Sequence, residues 1–200
     1  MDEIAIRIEH VSKEYRLGAI GGGTLRGDLQ SLMARIKGRE DPNSKIGSDS
    51  SKRTGERFLA LDDVSFSFTP GIYGLLGPNG AGKSTTMKII TGCLNDYQGE
   101  VRIKEMNLRE NPLKIKAIIG YLPEQNPLYP DLYIREYLLH VARLYRVGRP
   151  VAKVNAIIER TGLEPEIQKK IGQLSKGYRQ RVGLAQALVH DPEILILDEP

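Results

Sequence analysis

A glycine-rich segment at residues 77–82 constrains the fold of this chain more than any other feature of its sequence. Lys83 and Ser84 follow it, so the stretch reads glycine, four residues, glycine, lysine, serine. An apolar run at 72–76 precedes it, and we expect residues 83–91 to be helical. This succession of strand, turn and helix is the context in which such a loop holds phosphate groups. The sequence therefore predicts an α/β chain with a phosphate-binding loop.

The residue types in this loop suit a triphosphate. Glycines let backbone N–H groups approach phosphate oxygens without side-chain clashes, and the helix adds its positive end. Lys83 would place a charge on the β- and γ-phosphates, Ser84 would offer its hydroxyl to Mg²⁺, and Thr85 would reach the α-phosphate. The predicted phosphate-binding residues are Gly77, Pro78, Asn79, Gly80, Ala81, Gly82, Lys83, Ser84 and Thr85.

Two carboxylates, Asp198 and Glu199, follow the apolar run at 194–197. Ligands of α/β proteins bind at the carboxyl ends of strands, so this position is suited to a site. Asp198 would hold Mg²⁺ through water, because Mg²⁺ keeps several waters, and Glu199 would orient or deprotonate the attacking water. An apolar strand followed by two acids is usually structural, but together with the loop it indicates a catalytic centre.

The remaining patterns predict strands with interposed helices. We expect an α/β fold of the P-loop NTPase type, with a mainly parallel sheet, an antiparallel β edge and an inserted helical subdomain. Residues 72–76 should be a strand covered on both faces. The predicted core domain comprises 1–123 and 174–200, and the helical subdomain 124–173. Further strands are predicted at 3–11, 62–68, 101–104 and 118–122, and helices at 133–147, from Pro150 onwards and at 176–190.

Each of these three helices has a predicted apolar face. The faces comprise Ile134, Tyr137, Leu138, Val141, Leu144 and Tyr145 in the first helix, Val151, Val154, Ile157 and Ile158 in the second, and Tyr178, Val182, Ala185 and Val189 in the third.

Residues 17–60 form a predicted insertion in the core domain. Leu25, Leu29, Leu32, Met33 and Ile36 recur at helical spacing, and a polar, flexible linker follows them. Two interpretations stay open, namely a basic amphipathic helix at a membrane or membrane partner, and a helix packed on its own domain.

Composition limits the class of protein. No apolar run approaches the roughly 20 residues that span a bilayer, and the first residues lack the pattern of a signal peptide. The formal net charge of +4 does not by itself indicate nucleic-acid binding. The single cysteine, Cys93, is compatible with a reducing cytosol, and we expect it to be a small core residue.

The segment Leu174, Ser175, Lys176, Gly177 and Tyr178 leads into a predicted helix. Here the chain resembles the ATP-binding subunits of ABC transporters, whose signature is Leu-Ser-Gly-Gly-Gln. It departs from that signature at Lys176 and Tyr178. The resemblance implies ATP and Mg²⁺ as cofactors. It also implies a homodimer in which Ser175 and Gly177 of the second ATP-binding subunit meet the γ-phosphate.

Three further site residues follow from this resemblance. Tyr15 matches the aromatic residue that stacks on adenine, and residues 121–125 resemble the Q-loop, which links the nucleotide to the membrane partner. The family's glutamine corresponds to Glu124 or Gln125, and the sequence leaves this open. The predicted catalytic residues are therefore Glu199, Lys83, Glu124 and Gln125.

The two parts of the chain resemble different branches of the family. Residues 70–200 resemble ABC-2-type exporters, including gliding-motility subunits, whereas residues 10–68 resemble polysaccharide and teichoic-acid exporter subunits. The resemblance implies an ATPase on the cytoplasmic face of the inner or plasma membrane. It would power a transmembrane permease that exports polysaccharide or another cell-envelope cargo, with no nucleic-acid partner.

Other classes of nucleotide-binding protein would have different sequence features. Soluble ABC proteins that act on ribosomes or DNA usually carry two cassettes or long heptad coiled coils, and neither pattern is found here. A nucleotide-binding regulator without turnover would not need Glu199, and a P-loop kinase would lack the Ser175 segment. The family also has a D-loop and a switch histidine after the position of Pro200, so we expect a C-terminally truncated fragment that is inactive alone.

Overall fold

The computed structural model describes residues 4–16 and 57–199. Of the predicted insertion at 17–60, positions 17–56 lie outside these residues, and positions 57–60 belong to a strand. The strands are β1 (Ile6–Arg16), β2 (Arg57–Phe68), β3 (Gln98–Ile103), β4 (Met106–Asn107), β5 (Ile119–Leu122) and β6 (Ile194–Leu197). The α-helices are α1 (Lys83–Ile90), α2 (Pro112–Ile118), α3 (Ile134–Leu144), α4 (Pro150–Arg160) and α5 (Lys176–Leu188).

The strands form two sheets of opposite type. β2, β1, β3 and β4 lie side by side in an antiparallel sheet, whereas β5 and β6 pair in parallel, with Ile119 opposite Ile194 and Leu122 opposite Leu197. The α/β prediction is therefore confirmed. Within the described ranges, however, the antiparallel pairing that we expected only at the edge is the more extensive of the two.

The apolar run at 72–76 differs from the prediction of a covered strand. It forms no strand pairing with the rest of the described chain, and Ile72 and Leu76 are 103% and 96% exposed. Within the described part of the chain, strand β6 pairs only with β5, and its Leu195 is 41% exposed. Apolar residues alone predicted burial, but a strand is covered only where other elements pair with it and pack on it.

The predicted helical faces are mostly buried. Ile134, Tyr137, Leu138, Val141, Val154, Ile157 and Ile158 lie in one apolar cluster. The prediction is wrong for Leu144 and Tyr145 at the end of α3 and for Val151 at the start of α4, which are exposed. Leu144 is the last residue of α3, Tyr145 caps that helix, and Val151 lies in the first turn of α4.

Two apolar clusters organise the described residues. One joins α3, α4 and α5, and the other joins the antiparallel sheet with α1 and α2. α5 contributes Val182 and Ala185 to the helical cluster, and Val189 follows directly after it, although this segment lies in the predicted core domain. The domain division stays a prediction.

Two other expectations concern single features. Cys93 is exposed, so the expectation of a small core residue is wrong. None of the helices in the described ranges has the length and apolar character that crossing a bilayer requires.

The contact between α5 and β5 depends on a residue without a side chain. A Cβ atom on Gly120 would lie 2.2 Å from the Ala187 carbonyl oxygen and 2.8 Å from Cγ of Pro192. The first of these atoms belongs to the backbone and cannot rotate away. The chain therefore requires glycine where α5 crosses the parallel strand pair.

We predict that Gly120→Ala lowers the free energy of unfolding by about 1–3 kcal/mol, the usual cost of overpacking a core. Urea denaturation monitored by circular dichroism measures this difference. Gly148→Ala is the matched control, because a Cβ there meets no atom within 4 Å. Equal stability of the two variants would contradict this account of the contact.

Candidate nucleotide site

The glycine-rich loop has the backbone shape that its sequence predicts. Gly80 and Gly82 have φ angles of 86° and 85°, in the left-handed region that favours glycine. A Cβ on Gly82 would lie 2.6 Å from Cδ2 of Leu61 and 2.7 Å from the Ala60 carbonyl oxygen. The loop therefore packs directly on β2, and α1 begins immediately after Gly82.

The start of α1 is suited to an anion. No described side chain caps this helix end, and its first turn carries no acidic residue. The first N–H groups of a helix lack partners within the helix and carry partial positive charge. The beginning of α1 thus offers backbone donors at the position where the sequence predicts phosphate.

Lys83 folds back over this loop. Its ammonium group donates hydrogen bonds to the Gly77 carbonyl at 2.7 Å and to the Pro78 carbonyl at 3.0 Å. Both bonds hold the positive charge beside the loop that is predicted to bind the phosphates. A lysine ammonium is a compact charge that suits phosphate oxygens.

Ser84 meets Asp198 although 114 residues separate them in the sequence. The Ser84 hydroxyl donates a hydrogen bond to Oδ1 of Asp198 at 3.1 Å. Asp198 is 4% exposed, and its backbone N–H donates to the Leu122 carbonyl at 2.9 Å, which continues the pairing of β5 with β6. The parallel strands thus carry the carboxylate to the first turn of α1.

This pair of oxygen atoms fits a magnesium ion. Mg²⁺ binds one or two protein oxygens and keeps waters or phosphate oxygens as its other ligands. A buried carboxylate is costly unless a cation or hydrogen bonds compensate its charge. Elsewhere in the described ranges, no group of three or more histidine, cysteine, aspartate or glutamate side chains offers a competing metal site.

The phosphate-binding loop opens into a cavity of about 370 Å³. Of the predicted site residues outside the loop, Tyr15, Glu124 and Glu199 line it, whereas Gln125 does not. The other lining residues are Phe58, Ala60, Asn79, Gly80, Gly82, Lys83, Ser84 and Thr85. The structure therefore brings residues from both ends of the chain to one place.

Phe58 and Ala60 are site residues that the sequence analysis missed. Both fall at the end of the predicted insertion at 17–60, but they lie in β2, beside the loop. Phe58 is 47% exposed although it is aromatic. The unbroken apolar run from Phe58 to Leu61 is the signal that could have extended the predicted strand.

Glu199 has a distinct local environment. It is exposed, its φ is 52°, and its carbonyl oxygen accepts a hydrogen bond from the Gln180 side chain of α5 at 3.5 Å. Near it, burial and the adjacent Asp198 charge raise the pKa of Tyr121 to about 12. Tyr121 therefore stays neutral at physiological pH and adds no charge beside the carboxylates.

Ser175 and Gly177 lie away from this cavity. Both are exposed, and the Ser175 hydroxyl accepts a hydrogen bond from the Tyr178 backbone N–H at 3.3 Å, as a helix N-cap does. Neither residue lines the cavity of its own chain. A phosphate contact from these residues would therefore require a second molecule.

Comparison with known proteins identifies the family of this chain. A family model described as ABC transporter matches residues 61–200, and the chain therefore belongs to the ABC transporter family. It is 34% identical over 183 residues to the probable multidrug ABC transporter ATP-binding protein YbhF of Escherichia coli K12. That alignment covers 90% of this chain and 32% of the relative.

A second relative and a solved structure agree with this assignment. The Nod factor export ATP-binding protein I of Burkholderia pseudomallei strain 1710b is 38% identical over 145 residues, covering 71% of this chain and 48% of the relative. The chain thus spans about a third of the length of the first relative and about half of the second. A dimeric post-hydrolysis structure of the ATP-binding cassette MJ0796 with ADP and Pi is 25% identical. It has a TM-score of 0.71 and covers 98% of this chain and 74% of that chain.

We predict that Lys83→Ala weakens ATP binding at least tenfold, because it removes the charge that the loop holds beside its backbone donors. Isothermal titration calorimetry with ATP and Mg²⁺ measures the loss. Lys88→Ala is the control, since Lys88 lies exposed in the last turn of the same helix. Unchanged affinity in Lys83→Ala would disprove the role of this ammonium group.

Proposed function

We propose that this chain binds ATP with Mg²⁺ in the cavity at the glycine-rich loop and hydrolyses it to power an exporter of the ABC-2 type. The observation that carries the proposal is the hydrogen bond between Ser84 and Asp198. It joins a phosphate-binding helix start to a buried carboxylate, which is the combination that phosphoryl transfer requires.

In this mechanism the loop residues bind and orient the phosphates. The N–H groups at the start of α1 and the Lys83 ammonium stabilise the negative charge, which increases on the phosphate oxygens in the transition state. Ser84 and Asp198 would hold Mg²⁺, which supplies charge neutralisation at the phosphates. Tyr15 would stack on the base from the rim of the same cavity.

The attacking water needs a residue that orients it and accepts its proton. Glu199 lines the cavity, is exposed and follows Asp198 directly, so we assign it as the general base. Of the two Q-loop candidates, the lining of the cavity favours Glu124 over Gln125. Glu124 is an acceptor for water or for a metal-bound water at this edge.

A second copy of the chain would complete the site. Ser175 and Gly177 are exposed and outside the cavity of their own molecule, and their helix start offers a hydroxyl and backbone donors to an anion. The MJ0796 cassette is described as a dimer, which supports this arrangement. Each of the two nucleotides would then lie between two subunits.

The transport role rests on the named relatives. Proteins named for multidrug transport and Nod factor export support an export direction. We propose a peripheral position on the cytoplasmic face of the membrane, through a permease partner. We propose polysaccharide or another cell-envelope cargo, because residues 10–68 resemble polysaccharide exporter subunits. The alternative is a gliding or secretion system, because residues 70–200 resemble subunits of that branch.

We predict that Glu199→Gln, introduced into the full-length protein, binds ATP with unchanged affinity but hydrolyses it at least a hundredfold more slowly, because loss of a general base costs about 10²–10⁴ in rate. The variant should also persist as an ATP-bound dimer in size-exclusion chromatography with light scattering. Glu193→Gln is the control at the opposite end of β6, where Glu193 pairs with Lys104. A normal hydrolysis rate in Glu199→Gln would refute the assignment.

A further inference from the structure

Lys13 of β1 is a buried lysine to which the proposed mechanism gives no role. It is 5% exposed, and lysine is almost never buried to this degree unless its charge is paired. Its ammonium group donates a hydrogen bond to Oδ2 of Asp96 at 2.7 Å. It also lies 4.9 Å from the centroid of the Tyr15 ring, within the range of a cation–π interaction.

The Tyr15 ring borders two cavities. One is the nucleotide cavity, and the other, of about 760 Å³, is lined by Lys13, Asp96 and Tyr15 among others. Tyr15 is 37% exposed, so part of this residue remains accessible to a ligand. The ammonium group of Lys13 is therefore a contact that fixes the ring from the side of the second cavity.

Asp96 connects this contact to the phosphate-binding helix. It lies in the segment between α1 and β3, and its side chain is 94% exposed. The hydrogen bond and the charge of Lys13 lower the pKa of Asp96, so the carboxylate stays ionised. The ion pair joins the strand that carries Tyr15 to the segment that follows α1.

We propose that Lys13 and Asp96 are positioning residues for the nucleobase, an inference that rests on the proposed stacking role of Tyr15. Lys13 holds the Tyr15 ring in one orientation through its ammonium group, and Asp96 holds Lys13. A ring that is already ordered loses less side-chain entropy when a base stacks on it. Lys13 and Asp96 thus contribute to the binding of the base and not to the binding of the phosphates.

Two ligands separate these parts in calorimetry. ATP has both a base and a phosphate chain, whereas tripolyphosphate has the phosphate chain alone. We expect Lys13→Met to weaken ATP binding about three- to tenfold and to leave tripolyphosphate binding unchanged. Lys13→Arg, which keeps a cation, should retain most of the ATP affinity. Asp96→Asn should weaken ATP binding in the same direction.

The control removes a different ion pair from the same cavity. Glu14 lines the larger cavity and pairs with Arg57 at 3.2 Å, so Glu14→Gln should leave both affinities unchanged. Lys13→Met should cause no further loss of ATP affinity in a Tyr15→Ala background, because the two residues act through one ring. If Lys13→Met does not fold, the exposed Asp96 still provides the test through Asp96→Asn.

The possible results separate this inference from the proposed function. If Tyr15→Ala weakens ATP binding and neither Lys13→Met nor Asp96→Asn does, the positioning role is wrong and the stacking role stands. If Tyr15→Ala leaves ATP affinity unchanged, the stacking role is wrong and the inference falls with it. A parallel loss of ATP and tripolyphosphate affinity would assign Lys13 to the stability of β1 and would overturn the inference.

Discussion

The hydrogen bond between Ser84 and Asp198 is the contact on which the organisation of this molecule depends. Each partner reaches it through a different constraint. Ser84 is placed by the left-handed Gly82, after which α1 begins, and Asp198 is placed by the parallel pairing of β5 with β6. A buried carboxylate needs compensation, and a hydroxyl compensates it only in part. This incomplete compensation is what makes the position suitable for a divalent cation beside phosphates.

The features that could be predicted from the sequence are those with local causes. The loop at 77–82 requires glycines for its own backbone, and α3 and α4 show their buried faces through residues three and four apart. Asp198 and Glu199 could be named because an apolar strand ends just before them. In each case the local structure depends mainly on residues that are close together in the sequence.

The predictions that failed depend on partners distant in sequence. The exposure of Ile72 and Leu76 could not be inferred from their apolar character, because burial is a property of what packs around a segment. The start of β2 was missed because polar residues precede it in the sequence. Its strand conformation depends on pairing with β1, which is distant in the sequence. α2 was missed because Ile115 is its single buried residue, so its seven residues show little periodicity.

The hydrogen bonds of Lys83 to its own loop have a consequence for the entropy of anion binding. Two carbonyl groups of its own loop already restrain the ammonium group. A free lysine side chain loses up to about 2 kcal/mol of conformational entropy when it is immobilised. The two hydrogen bonds oppose part of that freedom, so an anion that binds beside Lys83 orders fewer rotamers than it would with an unrestrained lysine. Variants that loosen the loop backbone should therefore weaken anion capture even when every contacting side chain is retained.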